Sequence, residues 1–422
     1  SLNPEDLKNM GLPFDPSMMQ GILEQMNTMF SINATPGSTP EQGVNWTGVK
    51  DQARRMIAAD SDPSIAENLK QAAADAAHLA DLWLDSVTVF ERHNIPVEAW
   101  SKAEWLDASF NSWREMVEPV AAEVTQAMVL PGADNVPEEL TQLLGNSGFL
   151  NNLGSTFFGI QMAQALASLA NEVYSSTDIG FPLAPGRTAL LPNGFKTLGD
   201  EIEVPAQEVL LYLAVRESAL IRLHRTNPWL REDIMALVSR YARGIRVDMN
   251  RIQDAASQVN MHDPEAVQEA FEGGMFNPQR TEDQELAVER LEALLALIEG
   301  WVSFVADQAT QNLPKAPQIA ETFARRRVEG GPSEQVFETL VGLEIRPRMV
   351  REATAFWRDY DEKHGFEARD NLWLAPETLP TAKELENFKK YEDRVSEQLS
   401  FDDVDFDSEL KKLLDGGYDD NK

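Results

Sequence analysis

Residues 211–224 read Leu-Tyr-Leu-Ala-Val-Arg-Glu-Ser-Ala-Leu-Ile-Arg-Leu-His, an apolar run that the adjacent charges of Arg216 and Glu217 interrupt. Pro205 stands where the first turn of a helix tolerates proline, and the pattern predicts a helix from there to about Arg225. A helix that is apolar on nearly every side is buried, and charges on it need partners. The stretch therefore predicts a buried helix whose two charges either form an ion-pair network that fixes helix packing or belong to a site.

Outward from this stretch, apolar residues recur three and four positions apart over most of the chain, which is typical of helices. Residues 178–204 differ, because several glycines and prolines separate short apolar runs there, and we expect loops and up to two short strands. The predicted fold is mainly α: a large helical body with a small β element (α+β) near residues 180–204. Further helices are predicted over residues 46–127, 158–174, 229–245, 283–308 and 346–363.

Two details of these helices are open to a structural test. Pro119 is expected to kink or divide the helix that contains it, because proline lacks the N–H that a helix interior uses. The helix over 346–363 is expected to stop at His364-Gly365. Tryptophans at helical spacing are expected in the core, namely Trp83, Trp105 and Trp113.

The organisation along the chain follows from changes in composition. Residues 1–45 are rich in Met, Gly and Pro and are predicted to be a flexible N-terminal segment. Residues 46–390 are predicted to form the helical domain, which divides into two lobes at about 46–175 and 176–390. Residues 391–422 are predicted to be an acidic C-terminal tail with weak order of its own.

Composition restricts the classes of function. The 422 residues contain 37 basic and 69 acidic side chains, a net charge of -32, and no cysteine. So negative a surface repels phosphate backbones and anionic lipid, so we expect neither nucleic acid nor a membrane as partner, whereas a protein or peptide partner fits. No run approaches the ~20 apolar residues that span a bilayer, and residues 1–10 show no secretory signal. A cytoplasmic location is therefore expected; the oligomeric state is left open.

A resemblance to a known family rests on several short stretches between about residues 44 and 386. The chain resembles an actinobacterial family described as zincin-like metallopeptidases or hydrolases, some relatives of which are associated with coenzyme F420 biosynthesis. The stretches are Ala80-Asp81-Leu82-Trp83-Leu84-Asp85, Ser101-Lys102-Ala103-Glu104-Trp105, Thr177-Asp178-Ile179-Gly180, Arg216-Glu217 through Pro228-Trp229-Leu230-Arg231, Glu299-Gly300-Trp301, residues 340–348 and Arg369-Asp370-Asn371-Leu372-Trp373.

The resemblance implies a specific motif on the 211–224 helix. A zincin carries His-Glu-x-x-His, in which two histidines on one helical face bind zinc and the glutamate acts as general base. The corresponding positions here keep the base as Glu217 but replace the ligands by Arg216 and Leu220. Leucine cannot bind a metal, and a protonated guanidinium repels one. We therefore expect no zinc and no other cofactor.

Two further residues are candidates for this site. Glu299 resembles a third zincin ligand on a later helix, and we expect it to pair with Arg216 instead of a metal. His224 lies four residues beyond Leu220 and is the alternative ligand, but its place before Pro228 favours a helix cap or solvent. No two histidines of the chain have ligand spacing; they are His78, His93, His224, His262 and His364.

Three functional hypotheses remain. The first is a zincin-like hydrolase homologue without zinc ligands, a pseudoenzyme that acts as a binding or scaffold protein. The alternative is a metal-independent or atypical hydrolase or peptidase using Glu217, with Arg216 or Glu299, which predicts Glu217 exposed in a deep pocket. The third is a structural role in which these charges serve packing alone. Whether the chain is an enzyme is thus left open.

Two arginine-rich stretches have alternative interpretations as well. Arg346-Pro347-Arg348 with Arg351 could bind an anionic group, but in so acidic a protein we expect them to form ion pairs with Glu344, Glu352 and Asp370. Residues 325–327, which read Arg-Arg-Arg, are expected on a solvated helix face.

Overall fold

A computed structural model describes residues 43–127, 147–245, 280–330 and 349–397, together with residue 338. Most of the predicted N-terminal segment, the tail beyond residue 397 and Arg346-Pro347-Arg348 lie outside the described residues. Within them the fold is mainly α with two short strands, which confirms the predicted class. In chain order the main elements are α1 Trp46–Ala59, α2 Glu67–Leu84, β1 Val97–Ala99, α3 Lys102–Ala127, α4 Ser147–Glu172, β2 Thr188–Leu190, α5 Phe195–Glu201, α6 Ala206–Thr226, α7 Trp229–Arg243, α8 Glu282–Ala309, α9 Ala316–Val328, α10 Val350–Asn371 and α11 Ala382–Leu385.

Helix α6 is the predicted central helix. Pro205 precedes its first residue, and every residue from Tyr212 to His224 is buried. It packs against α2 on one side and α8 on another, and it also contacts β2, α5 and α9. An apolar surface on all sides of a helix is satisfied only by neighbours on all sides, and α6 has them.

A small two-stranded sheet lies against α6 through its strand β2. Strands β1 and β2 pair in parallel, with Val97 opposite Thr188. On the other edge of β2, residues 174–176 run antiparallel to it, through hydrogen bonds such as Ser176 N–H to the carbonyl of Ala189 (2.9 Å). The predicted β element near 180–204 therefore contains one strand, β2. Its partner β1 was not predicted, because three residues carry no readable alternation and the pairing joins segments far apart in the chain.

The two helix breaks predicted from the sequence, at Pro119 and at Gly365, differ in the structure. Helix α3 continues through Pro119 from Lys102 to Ala127, so the predicted division of that helix is wrong. Buried neighbours on both sides of the proline, Val117 and Val120, hold the helix in place where one backbone hydrogen bond is missing. The break at Gly365 is confirmed, since this residue has φ 81° and ψ 165° inside α10.

Close packing joins α8 to α10. A Cβ built on Gly300 would lie 2.7 Å from the backbone nitrogen of Thr354 and 2.8 Å from the Cβ of Ala353, so only glycine permits this approach. Trp105 and Trp113 are buried in the core as predicted, while Trp83 is partly buried against it. Over the described part of the chain, none of the helices combines the length and apolarity needed to cross a bilayer.

Candidate functional site

The adjacent charges of α6 point to different neighbours. Successive residues of a helix project about 100° apart, so two side chains on one turn reach two different elements. Arg216 reaches α8, and Glu217 reaches β2 and the loop that precedes it. The two side chains therefore do not pair with each other and form two separate buried clusters.

Arg216 is held by an ion pair. Its Nη2 lies 2.8 Å from Oε1 and 2.9 Å from Oε2 of Glu299, and its Nη1 lies 3.3 Å from Oγ of Ser303. The guanidinium also stands over the ring of Phe323, 5.8 Å from its centroid. Burial acts to lower the pKa of Arg216, but the charge of Glu299 outweighs it and the pKa is raised. The expected pairing of Arg216 with Glu299 is thus present, and it occupies both oxygens of that carboxylate.

Glu217 has a different environment. Its carboxylate is 1% exposed and accepts hydrogen bonds from the hydroxyls of Ser176, Thr177 and Thr188, the last at 2.7 Å. The backbone N–H of Thr177 adds a fourth at 3.2 Å. Among the described residues, no arginine or lysine forms an ion pair with it. The expectation of an exposed Glu217 in a deep pocket is therefore wrong, because the loop before β2 covers the carboxylate.

The covering loop, residues 173–187, has a shape fixed by its own sequence. The carboxylate of Asp178 accepts the backbone N–H of Tyr174 at 2.8 Å, which closes a turn. Gly180 follows with φ 98°, a left-handed conformation that glycine adopts without strain, and its N–H bonds to the carbonyl of Thr177 at 2.8 Å. These turns direct Thr177 toward Glu217 and the carbonyl of Gly180 toward His224, two turns further along α6.

His224 lies on the same face of α6 as Glu217, seven residues along. It is 5% exposed, and its Nε2 lies 3.0 Å from the carbonyl oxygen of Gly180. Burial lowers the pKa of His224 to about 4, so the ring is neutral at pH 7 and donates from Nε2. The predicted cap or solvent position is wrong, because the loop over residues 173–187 covers this end of the helix too.

Sequence reasoning missed the three residues whose hydroxyls donate to Glu217. Ser176 and Thr177 lie in the loop, and Thr188 begins β2. The only signal was the stretch Thr177-Asp178-Ile179-Gly180, which carries part of the family resemblance. His93 is buried, its Nδ1 lies 3.1 Å from the carbonyl of Ile95, and its Nε2 has no hydrogen-bond partner. Burial lowers the pKa of His93, although the charges of Asp81 and Glu217 act in the opposite direction.

The arginine-rich stretches behave differently from expectation. Asp370 pairs with Arg369, and within the described ranges Arg351 forms no ion pair, so the pairing predicted for Arg351 is wrong. Arg369 precedes Asp370 in the chain, lies buried beside it and pairs with its carboxylate. Asp370 therefore pairs with Arg369 and not with Arg351. Arg325 is exposed and pairs with Glu321, as expected of a solvated face. Arg326 instead packs over aromatic rings and donates to a backbone carbonyl.

Known proteins resemble this chain in sequence and in fold. A family model described as "Zincin-like metallopeptidase" matches residues 44–391. The chain belongs to the zincin-like metallopeptidase family. A crystal structure from Chloroflexus aurantiacus, described as a "putative hydrolase with a novel fold", is similar with a TM-score of 0.59 and 18% identity, covering 84% of this chain and 99% of that one. At that identity the likeness concerns the fold. No curated protein matches the chain.

For a member of the zincin-like family, the donors around α6 decide whether a zinc ion fits. A zinc ion in a protein needs three or four histidine, cysteine or carboxylate ligands. In the described ranges, no group of three or more such side chains is arranged to hold a metal ion. On α6 itself, Arg216 carries a positive charge and Leu220 is an apolar side chain buried at 3% exposure.

Proposed function

We propose that this zincin-like protein has lost zinc-dependent hydrolysis and acts by binding a protein or peptide. The observation that carries the proposal is the contact of Nη2 of Arg216 with both carboxylate oxygens of Glu299. If α6 corresponds to the zincin active-site helix, the guanidinium takes the space of a zinc ion and offsets the charge of the carboxylate. Such a replacement is stable and catalytically silent.

The residues present do not fit zinc. Arg216 cannot lose its proton at any relevant pH, and Leu220 offers no lone pair. Glu299 has both oxygens engaged by Arg216, so it is not free to coordinate. We therefore propose that the chain needs no metal cofactor.

The state of Glu217 supports the same conclusion. A general base must reach the water or proton that it acts on, and this carboxylate is 1% exposed with four hydrogen bonds already made. The proposed partner is a protein or peptide in the cytoplasm. A net charge of -32 favours a cationic partner surface over nucleic acid or an anionic membrane.

A metal-independent hydrolase is the second candidate, and one observation favours it. The hydroxyls of Ser176 and Thr177 donate to Glu217, and a carboxylate that accepts a hydroxyl proton is how a nucleophile is activated. The buried His93 has an imidazole nitrogen without a hydrogen-bond partner among the described residues, and the charge of Glu217 acts on this ring. This reaction would require residues 173–187 to move away from α6.

Metal content and activity of the purified protein test the proposal. We expect far less than one zinc per chain by elemental analysis, and no peptide hydrolysis that Glu217→Gln removes. The double variant Arg216→His/Leu220→His recreates His-Glu-x-x-His and is expected to gain zinc, with Glu299 released as third ligand. Stoichiometric zinc in the unmodified protein would overturn the proposal. Hydrolysis without metal that Glu217→Gln abolishes would favour the second candidate.

A further inference from the structure

Five large apolar side chains are exposed to solvent in the described parts of the chain, and three of them lie around one place. Val89 is 40% exposed, Phe366 42% and Leu374 66%. The backbone N–H of Val89 lies 3.0 Å from Oδ2 of Asp370. Phe366 lies four residues before Asp370 and Leu374 four residues after it, which is about one helical turn of ~5 Å in each direction. We call these three exposed residues the apolar patch.

The apolar patch stands on a fixed base. Nη2 of Arg369 donates to the carbonyl of Val87 at 2.7 Å, and the hydroxyl of Thr88 donates to Asp370 at 2.6 Å. Arg369 and Asp370 are themselves buried. These hydrogen bonds hold residues 87–89 against the end of α10. The apolar side chains are therefore ordered before a partner arrives, and binding loses little conformational entropy.

The rim of the apolar patch carries free negative charge. Apolar side chains scattered singly over a surface are normal, whereas neighbouring ones with a polar rim mark an interaction site. Glu91 and Glu367 follow the patch residues closely in the chain, and both are exposed. Among the described residues neither forms an ion pair, and the adjacent Arg92 is already paired with Asp85. A partner that covers the patch therefore meets two carboxylates that favour lysine or arginine.

Charge argues against other parts of the same protein as the occupant. A second copy also carries a net charge of -32, so two copies repel each other. Residues 1–42 and 398–422, which lie outside the described residues, each contain more acidic than basic side chains, and the same rim repels them. The occupant that fits is a different protein with a basic surface.

We propose that the apolar patch docks a basic amphipathic segment of a partner protein. Apolar side chains of that segment cover the patch, and its lysines or arginines lie beside Glu91 and Glu367. This inference rests on the proposed binding function and gives that function a surface. Neither Arg216 nor Glu217 belongs to the patch, so docking requires no movement of residues 173–187.

Fluorescence polarisation with the full chain tests the docking. The probe is a labelled amphipathic peptide of leucine and lysine. Its comparators are a leucine and glutamate peptide with the same apolar pattern and a serine and lysine peptide with the same charge. We expect the leucine and lysine peptide to bind at least about tenfold more tightly than either, because apolar burial and opposite charge act together. Absence of this binding, or equal binding of the serine and lysine peptide, overturns the proposal.

Matched apolar variants locate the binding. Leu374→Ser and Phe366→Ser are each expected to weaken binding of the leucine and lysine peptide about tenfold. Leu286→Ser removes an exposed leucine on α8, outside the patch, and leaves the affinity unchanged. Thermal unfolding of each variant checks that it folds. Equal losses in Leu374→Ser and Leu286→Ser would overturn the assignment.

Matched charge variants test the rim. Glu367→Lys is expected to weaken binding of the same peptide about threefold. Glu289→Lys makes the same change of charge at an exposed glutamate of α8 and is expected to leave the affinity nearly unchanged. Equal effects of the two variants would show that the peptide responds to net charge alone, and would overturn the role of the rim.

Two further measurements separate the occupant from the function. By sedimentation velocity we expect no dimer that depends on the patch. A dimer that Leu374→Ser dissociates would show that a second copy covers the patch and would overturn the proposal. Stoichiometric zinc in the same preparation would overturn the proposed function, whereas peptide binding that Leu374→Ser does not weaken overturns the docking assignment alone.

Discussion

Asp370 and Glu217 are both buried carboxylates with four hydrogen bonds each, but their donors differ. Oδ1 of Asp370 accepts from Nε of Arg369 (2.8 Å) and Nε1 of Trp301 (2.9 Å), and Oδ2 accepts from the hydroxyl of Thr88 (2.6 Å) and the N–H of Val89 (3.0 Å). Glu217 instead accepts from three hydroxyls and one N–H.

The difference separates a structural carboxylate from a candidate functional one. The donors of Asp370 are mostly rigid N–H groups, one of them on a cation, and such groups can only donate, so they hold an acceptor in one place. Hydroxyls rotate and also accept, so those around Glu217 can adapt to a different side chain or ligand. Burial alone does not distinguish these two residues, whereas the chemistry of their donors does.

The largest effect is expected at Asp370. Asp370→Asn takes from the buried Arg369 one of its two carboxylate partners, leaving only Asp361, and sets an amide against fixed N–H donors. We expect the free energy of unfolding to fall by about 3–5 kcal/mol, measured by denaturant titration. Asp359→Asn is the matched control, because Asp359 pairs with Lys363 at the surface of the same helix. Equal losses in the two variants would contradict the structural role of Asp370.

The second prediction concerns the ion pair beside Glu217. Arg216→Met leaves Glu299 buried without its cation, and we expect a loss of about 3 kcal/mol in the free energy of unfolding. The double variant Arg216→Met/Glu299→Met removes both charges and is expected to recover most of that loss. A double-mutant cycle measures the coupling. If the double variant is less stable than the sum of the two single losses predicts, the pair is not the reason for the loss.

A smaller loss is expected at Glu217 itself. Glu217→Gln keeps the shape of the side chain, and the hydroxyls of Ser176 and Thr188 can turn to accept from the new amide. We expect the free energy of unfolding to fall by about 1–2 kcal/mol, less than for Asp370→Asn. The comparison between the two carboxylates fails if Glu217→Gln proves the more damaging change in denaturant titrations.

The smallest predicted effect is a pH dependence of the free energy of unfolding that arises from His224. Its pKa is about 4 in the folded protein against about 6.5 unfolded, so the unfolded state takes up more protons between these values and stability falls as pH falls from 6.5 toward 4. Between pH 8 and pH 6 we expect a loss of roughly 1 kcal/mol from this residue. The nearby charge of Arg231 acts in the same direction as burial.

Unfolding measured at several pH values checks this dependence. His224→Gln is expected to reduce the loss of stability below pH 6.5. His78→Gln, at an exposed histidine, is the control and leaves the dependence unchanged. An identical pH profile in His224→Gln and the unmodified protein would contradict a neutral, buried His224.

Much of the helical fold could be predicted from the local sequence pattern. The buried helix α6 followed from its apolar run. The need of Arg216 for a partner followed from its burial, whereas the choice of Glu299 as that partner rested on the family resemblance. The partners of Glu217 could not be predicted. Ser176, Thr177 and Thr188 are common surface residues in loops and strand ends, and their identity as donors depends on a sheet whose strands have three residues each.

The sequence by itself determined the helical class, the burial of α6 and the presence of charges that require compensation, because helical periodicity and the cost of desolvation act over a few neighbouring residues. Only the tertiary structure decided which partner each charge received. The parallel pairing of β1 with β2 and the turn at Gly180 brought hydroxyls to Glu217. The close contact at Gly300 brought α8 against α10 and turned Ala353 toward it. These contacts join residues far apart in the chain, and local patterning carries no record of them.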